Sequence, residues 1–290
     1  MKNWPENIIE AVARRRAIVI LGAGSSFHST PLAGSKHPPD WPTFLGQAAD
    51  RLMVAPKIEA KRLIKAGEYL SACEIVKSHL LGDWTLCVEA AFGDQRLEPG
   101  DLHTKVYELD LPIVMTTNFD KVYQSAAAKL SASTVKVKTY RDRDLAILAR
   151  GSAKSRVLLK AHGSIDDIGS MIFTRSDYIG LRNEFPLYQK VIASLAVTNT
   201  LIFIGCGLRD PDMILMLEDL ASVSKGFGQH FCLIDSKQSQ ELEKVYKDCF
   251  GLSCIRYKHD KSHSELPILV GSLSDAVKLR RSEMASSALW

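Results

Sequence analysis

The chain has 290 residues, 46% hydrophobic and 24% charged, the composition of an ordinary globular protein. Its 37 basic and 33 acidic residues leave a net charge of +4, far from the balance of a dedicated nucleic-acid binder. No stretch approaches the roughly 18 apolar residues of a membrane span, and Met1-Lys2-Asn3-Trp4-Pro5 lacks the apolar core of a signal peptide. The six cysteines (Cys73, Cys87, Cys206, Cys232, Cys249 and Cys254) are scattered, without a C-x-x-C pair. This is the pattern of reduced, buried thiols in a cytoplasmic protein.

In chain order, residues 6–16 read as a short helix ending in Arg14-Arg15-Arg16. Ala17–Leu21 is an all-apolar run stopped by Gly22, as in a buried parallel strand. Similar runs recur at Ile113–Thr116, Val157–Lys160, 201–204 and 231–234, each ending in a polar or glycine-rich turn. Strands of this kind between helical patterns predict an α/β fold, a Rossmann-like doubly wound parallel sheet. Tyr69, Ala72, Cys73, Val76 and Leu80 have helical spacing, and Trp84, Val88 and Phe92 repeat every four residues. Residues 43–107 therefore read as a helical insertion or lid within a single domain over 1–290. Leu266, Leu269, Val270, Leu273 and Val277 predict a final amphipathic helix in a C-terminal segment 264–290, with 282–290 loose unless a partner holds it. The basic runs Arg14-Arg15-Arg16, 136–143 and 278–281 read as solvated faces. Tyr140 is the only aromatic beside them, so direct nucleic-acid binding is not expected.

The turn Gly22-Ala23-Gly24-Ser25-Ser26-Phe27 follows the first strand. Glycine there permits a tight turn and close approach of a ligand, and a following helix N-terminus with two serine hydroxyls makes a pyrophosphate cradle. The dehydrogenase fingerprint fails: Phe27 stands where a small residue belongs, and a proline-rich loop (Pro31, Pro38, Pro39, Pro42) replaces the second strand and its acid. Three more strand ends carry polar clusters: Thr117-Asn118-Phe119-Asp120, Ala161-His162-Gly163-Ser164 and Gly205-Cys206-Gly207-Leu208-Arg209-Asp210. In a parallel sheet they share one edge, where ligands bind. Each also has a plainer reading: Asn118 and Asp120 as helix caps, His162 as a hydrogen-bonded loop residue, Gly205 and Gly207 as turn formers.

The order and spacing of all four segments resemble the sirtuin-like family over roughly residues 6–270. Gly22-Ala23-Gly24-Ser25-Ser26 matches its opening turn, and Pro31 to Phe44 with Trp41 its aromatic loop. Thr116-Thr117-Asn118-Phe119-Asp120, His162-Gly163 and Phe203-Ile204-Gly205-Cys206-Gly207 match the later motifs. The paired cysteines of the protein-deacylating members are missing, so no zinc is expected. The loop Pro39-Asp40-Trp41-Pro42-Thr43-Phe44 lacks the deacylase arginine. Gly207-Leu208-Arg209-Asp210-Pro211-Asp212 resembles the bacterial defence-associated branch.

That resemblance implies an NAD⁺ glycohydrolase, releasing nicotinamide and ADP-ribose and acting in antiphage defence by NAD⁺ depletion. A homo-oligomer and a HerA-type ATPase partner are implied with it. The alternatives are an NAD-dependent protein deacylase, or a non-catalytic nucleotide-binding subunit of an ATPase assembly. Within this reading Asn118 positions a water or a ribose hydroxyl and His162 is the general base. Gly22, Ala23, Gly24, Ser25 and Ser26 bind the phosphates. Thr117 contacts the cofactor, Asp120 holds the ribose or orients the Asn118 loop, and Gly205, Gly207 and Asp235 face the adenosine half.

Overall fold

A computed structural model describes residues 4–93, 96–150, 155–208, 211–224 and 229–287. Its strands in chain order are β1 (Ala17–Leu21), β2 (Thr30–Pro31), β3 (Leu97–Glu98), β4 (Ile113–Thr116), β5 (Lys136–Thr139), β6 (Val157–Lys160), β7 (Thr200–Ile204), β8 (His230–Asp235) and β9 (Leu252–Tyr257). Seven form one sheet in the order β5-β6-β4-β1-β7-β8-β9, with every neighbouring pair parallel. The doubly wound α/β fold read from the sequence is the fold observed. β2 and β3 pair separately and antiparallel.

Strand side chains alternate between two helical layers, as the period of two requires. Ile18, Ile20, Ile113, Met115, Leu159 and Phe203 face one core, shared with helices Arg175–Glu184, Pro186–Thr198 and Pro211–Ser224. Val19, Leu21, Val114, Leu158, Ile202 and Ile204 face the other, shared with helices Glu6–Ala13, Asp101–Glu108, Val122–Leu130 and Glu265–Ser286. Burial on both faces explains why these strands are apolar at every position.

A third core lies outside the sheet. Helices Trp41–Ala49, Val54–Lys65, Tyr69–Leu80 and Asp83–Val88 gather Phe44, Leu63, Val76, Trp84 and Phe92 around Phe173. Asp40 starts the first of them, its carboxylate accepting from the Thr43 N–H at 3.0 Å. Helix Asp101–Glu108 packs against the sheet side instead, through Leu102 and Val106.

Three local expectations change. Helix Glu265–Ser286 runs through most of the segment expected to be loose, because Met284 is buried and Arg281 donates to the carbonyls of Val12, Ala13 and Leu109; residues 288–290 lie outside the described set. Not every thiol is buried: Cys249 is exposed, and Cys206 and Cys254 are half-buried. The basic stretch 136–143 begins with the edge strand β5, and its Lys138 pairs with Asp144 at 2.6 Å. Among the described residues no helix is long and apolar enough to cross a membrane.

β1 is the switch point of the sheet: the chain leaves it for β4 on one side and later adds β7 on the other. There two turns meet with no room for side chains. A Cβ on Gly22 would lie 2.7 Å from the Cys206 Cα, one on Gly24 2.8 Å from the Gly205 oxygen, and one on Gly205 2.4 Å from the Ser25 nitrogen. Gly205 also has φ +65, in the left-handed region. Gly251, at φ +67, has nothing within 4 Å of such a Cβ. Gly251→Ala is therefore expected to cost only the backbone strain, about 1 kcal/mol. Gly205→Ala is expected to cost about 3 kcal/mol, strain plus clash. Urea unfolding midpoints at unchanged slope check the difference; equal losses would show that the turn contact does not constrain the fold.

Candidate active site

The two turns are joined by backbone hydrogen bonds. Gly22 N–H donates to the Ile204 carbonyl at 3.0 Å and Gly24 N–H to the Gly205 carbonyl at 2.8 Å, while Ser25 N–H turns back to the Gly22 carbonyl at 2.9 Å. These three donors are therefore engaged within the protein, where the sequence reading has N–H groups facing a phosphate. The helix that follows, Ala23–Ser26, has a single turn. The glycines first serve contact between turns.

β4 delivers Asn118 to this junction. Thr116 Oγ1 donates to the Leu21 carbonyl at 2.9 Å and accepts from Asn118 N–H at 3.0 Å, which fixes the strand end. Asn118 Nδ2 then lies 3.0 Å from the Gly22 carbonyl oxygen and 2.9 Å from Ser26 Oγ. A carbonyl oxygen only accepts, so the amide nitrogen must face it and Oδ1 must point the other way. Ser26 Oγ accepts from Asn118 and donates to Asp120 Oδ2 at 2.6 Å. Asp120 Oδ1 accepts from Val122 N–H at 2.9 Å, so the helix-cap reading of Asp120 holds as well.

β6 stands next to β4, with Thr116 opposite Lys160. Asn118 and His162 therefore each sit two residues beyond a paired position, on adjacent strand ends. Lys160 joins the two loops. Its side chain is fully buried, and Nζ donates to the carbonyls of Phe119 and Asp120 at 2.9 and 2.8 Å and to Ser164 Oγ at 3.0 Å. Three donors meet three acceptors. His162 is buried, its Nδ1 3.4 Å from the Tyr178 hydroxyl and its ring edge-on to that ring. Phe119 inserts into the aromatic core of the helical layer, 4.7 Å from Phe173 and 5.6 Å from Phe92.

Behind Asn118 lies a cavity of about 10 Å³ lined by Ser25, Ser26, His103, Asn118, Asp120 and Gln124, the space of one water molecule. Burial pushes His103 down to about 4, and its Nδ1 accepts from Gly100 N–H at 3.2 Å. It is a neutral imidazole with its proton on Nε2. A dinucleotide does not fit in this cavity. Ala23, Gly24 and Gly207 are exposed at the two turns.

The structure thus gathers Gly22, Ser25, Ser26, Asn118 and Asp120 into one network, with Gly24 and Gly205 in the turn contact and His162 on the neighbouring loop. Thr117 is buried, its N–H on the Leu21 carbonyl at 3.2 Å. Asp235 stands apart at the end of β8, where Lys237 N–H occupies Oδ1 at 2.8 Å and His259 contacts Oδ2. Arg209 and Asp210 of the Gly207–Asp212 motif lie outside the described residues. Lys160, His103 and Tyr178 were not anticipated. A lysine closing an otherwise apolar strand is the one signal that pointed to Lys160; the other two carry none.

Residues 112–255 match the family model described as the SIR2-like domain. That span carries the Asn118, His162 and Gly205 strand ends. The chain is 23% identical over 246 residues to a protein of Enterococcus faecium named NAD(+) hydrolase ThsA, covering 83% of this chain and 46% of that protein. It is 24% identical over 258 residues to Defense-associated sirtuin 2 of Bacillus subtilis, covering 86% of this chain and 24% of that protein. A ThsA of Cytobacillus dafuensis is 20% identical over 290 residues, 94% and 54% of the two chains. The chain thus spans about half the length, or less, of these relatives. The name of the Bacillus subtilis relative agrees with the defence-associated branch that the Gly207–Asp212 segment resembles.

Burial lowers Lys160 from 10.5 to about 8. Between those values the folded protein has lost a proton that the unfolded chain still binds, so this group makes stability rise with pH. Compared with Lys160→Met, the wild type is expected to gain up to about 3 kcal/mol across that window in urea unfolding. A difference that is flat or falls with pH would contradict the lowering of Lys160 by burial.

Proposed function

We propose that the chain hydrolyses NAD⁺ at the bond between nicotinamide and ribose, giving nicotinamide and ADP-ribose. The observation that carries this reading is the fixed orientation of Asn118. Its nitrogen is held by the Gly22 carbonyl and Ser26, and Oδ1 is directed away from them. An oriented amide oxygen accepts a hydrogen bond from a water or a ribose hydroxyl. The names of the ThsA relatives support the same reaction.

In the proposed reaction water attacks the anomeric carbon as the C–N bond breaks. The bonding electron pair goes to the pyridinium nitrogen, so nicotinamide leaves neutral, and the sugar passes through an oxocarbenium-like state. His162, on the adjacent loop, takes the proton from the water. Asp120 acts through Ser26, holding the hydroxyl that braces Asn118. Gly24 and Ala23, exposed at the turn, are the part of the predicted phosphate-binding segment open to a ligand. The internal engagement of the Ser25 and Ser26 hydroxyls supports an enzyme held in a resting form. Action in antiphage defence, a homo-oligomer, a HerA-type ATPase partner and a cytoplasmic location belong to the same proposal. The name of the Bacillus relative supports the first, and the sequence resemblance supports the assembly.

Purified chain, alone and with its neighbouring gene products, is to be assayed for nicotinamide release from NAD⁺. Asn118→Ala and His162→Ala are each expected to lower the rate at least about 100-fold, with unchanged circular dichroism. Wild-type turnover in both variants would remove the proposed chemistry.

A further inference from the structure

Away from the Asn118 network, two imidazoles and a carboxylate converge where β8 and β9 end. The ligand-capable atoms of Asp235, His259 and His263 all lie within 4.8 Å of one another. His263 Nδ1 is 3.7 Å from Asp235 Oδ2, and His259 Nδ1 contacts the same oxygen. We propose that Asp235, His259 and His263 bind a divalent transition metal of the zinc class.

Metal–nitrogen and metal–oxygen bonds of about 2.0–2.2 Å in a tetrahedral site set ligand atoms roughly 3.3–3.5 Å apart. The His263–Asp235 spacing is already close to that. The His259–Asp235 pair opens to it when a metal replaces the proton shared between them. Two imidazoles with one carboxylate suit zinc, whereas magnesium and calcium prefer all-oxygen ligands. Three protein ligands leave a fourth position open. The expectation of no zinc rested on missing cysteine pairs; this set uses no thiolate.

The backbone around the three residues is already ordered. Asp235 is held by Lys237 N–H at 2.8 Å, and His259 N–H donates to Ser236 Oγ at 3.0 Å. The loop between the histidines winds around Asp260. Its carboxylate accepts from Ser262 N–H and Oγ at 2.8 and 2.7 Å, and from Ser264 N–H and Oγ at 3.1 and 2.6 Å. His263 itself sits in the left-handed region at φ +50, a conformation that an L side chain rarely adopts. The Tyr257 hydroxyl, 3.0 Å from His263 Nδ1, competes for that nitrogen when no metal is bound.

The Phe27 ring, one residue after Ser26, packs edge-on to His263 with centroids 6.1 Å apart. A bound metal takes the Asp235 carboxylate that the sequence reading offers to the ribose of NAD⁺, but metal binding does not depend on the proposed hydrolysis.

Protein stripped with a chelator is to be titrated with Zn²⁺ against a chromophoric zinc indicator. Wild type is expected to take up one equivalent and Cys249→Ser the same. In the His259→Ala/His263→Ala double variant, and in Asp235→Asn, the affinity is expected to fall at least about 100-fold. The histidines are half-exposed on a loop, so the double variant keeps the fold, and near-native circular dichroism checks this. Absence of stoichiometric uptake by wild type overturns the site. So does retention of the same equivalent in the double variant.

Discussion

Two glycine turns press backbone against backbone at the switch point of the sheet, and the site is arranged around that contact. Side chains at Gly22, Gly24 or Gly205 would collide with the opposite turn. With them absent, the Gly22 carbonyl takes a fixed position, and that oxygen decides which way the Asn118 amide faces. Ser26 passes the constraint to Asp120, and Lys160 passes it on to the loop carrying His162. A change anywhere in this series alters the orientation of an amide rather than merely removing a contact.

The helical layer joins the series through Phe119, between Asn118 and Asp120. Its ring lies in the aromatic core built by Phe44, Trp84, Phe92 and Phe173. Movement of that layer therefore pulls on the backbone of the Asn118 loop. Lys160 holds the same loop through the carbonyls of residues 119 and 120. Phe119 and Lys160 thus connect the helical layer to the Asn118 loop.

The buried strands were legible because both faces are covered. β1, β4 and β6 have the ends read from the sequence, and β7 begins one residue earlier at Thr200. The edge strands were not. β5 is Lys136-Val137-Lys138-Thr139 and half solvent-facing, so its composition reads as a charged surface run. Asn118 and Asp120 were visible through their order among four strand ends, but the part played by Lys160 was not. Its role depends on carbonyls some 40 positions away in the chain, and only the fold brings them within reach. Asp235 was read as a strand-end acid free for a sugar. His259 and His263 come from a loop after β9, a strand that the sequence reading did not anticipate, so their approach to it was not foreseen.

The orientation of the Asn118 amide is the claim on which the proposed chemistry rests, and Asn118→Asp isolates it. This change keeps the size and one oxygen of the side chain, but sets an acceptor against the Gly22 carbonyl oxygen, which itself can only accept. The initial rate of nicotinamide release from NAD⁺ by this variant, under conditions in which wild type is active, is the most direct measurement. The account predicts a loss of at least about 100-fold in a folded protein. A rate within a few-fold of wild type would contradict it.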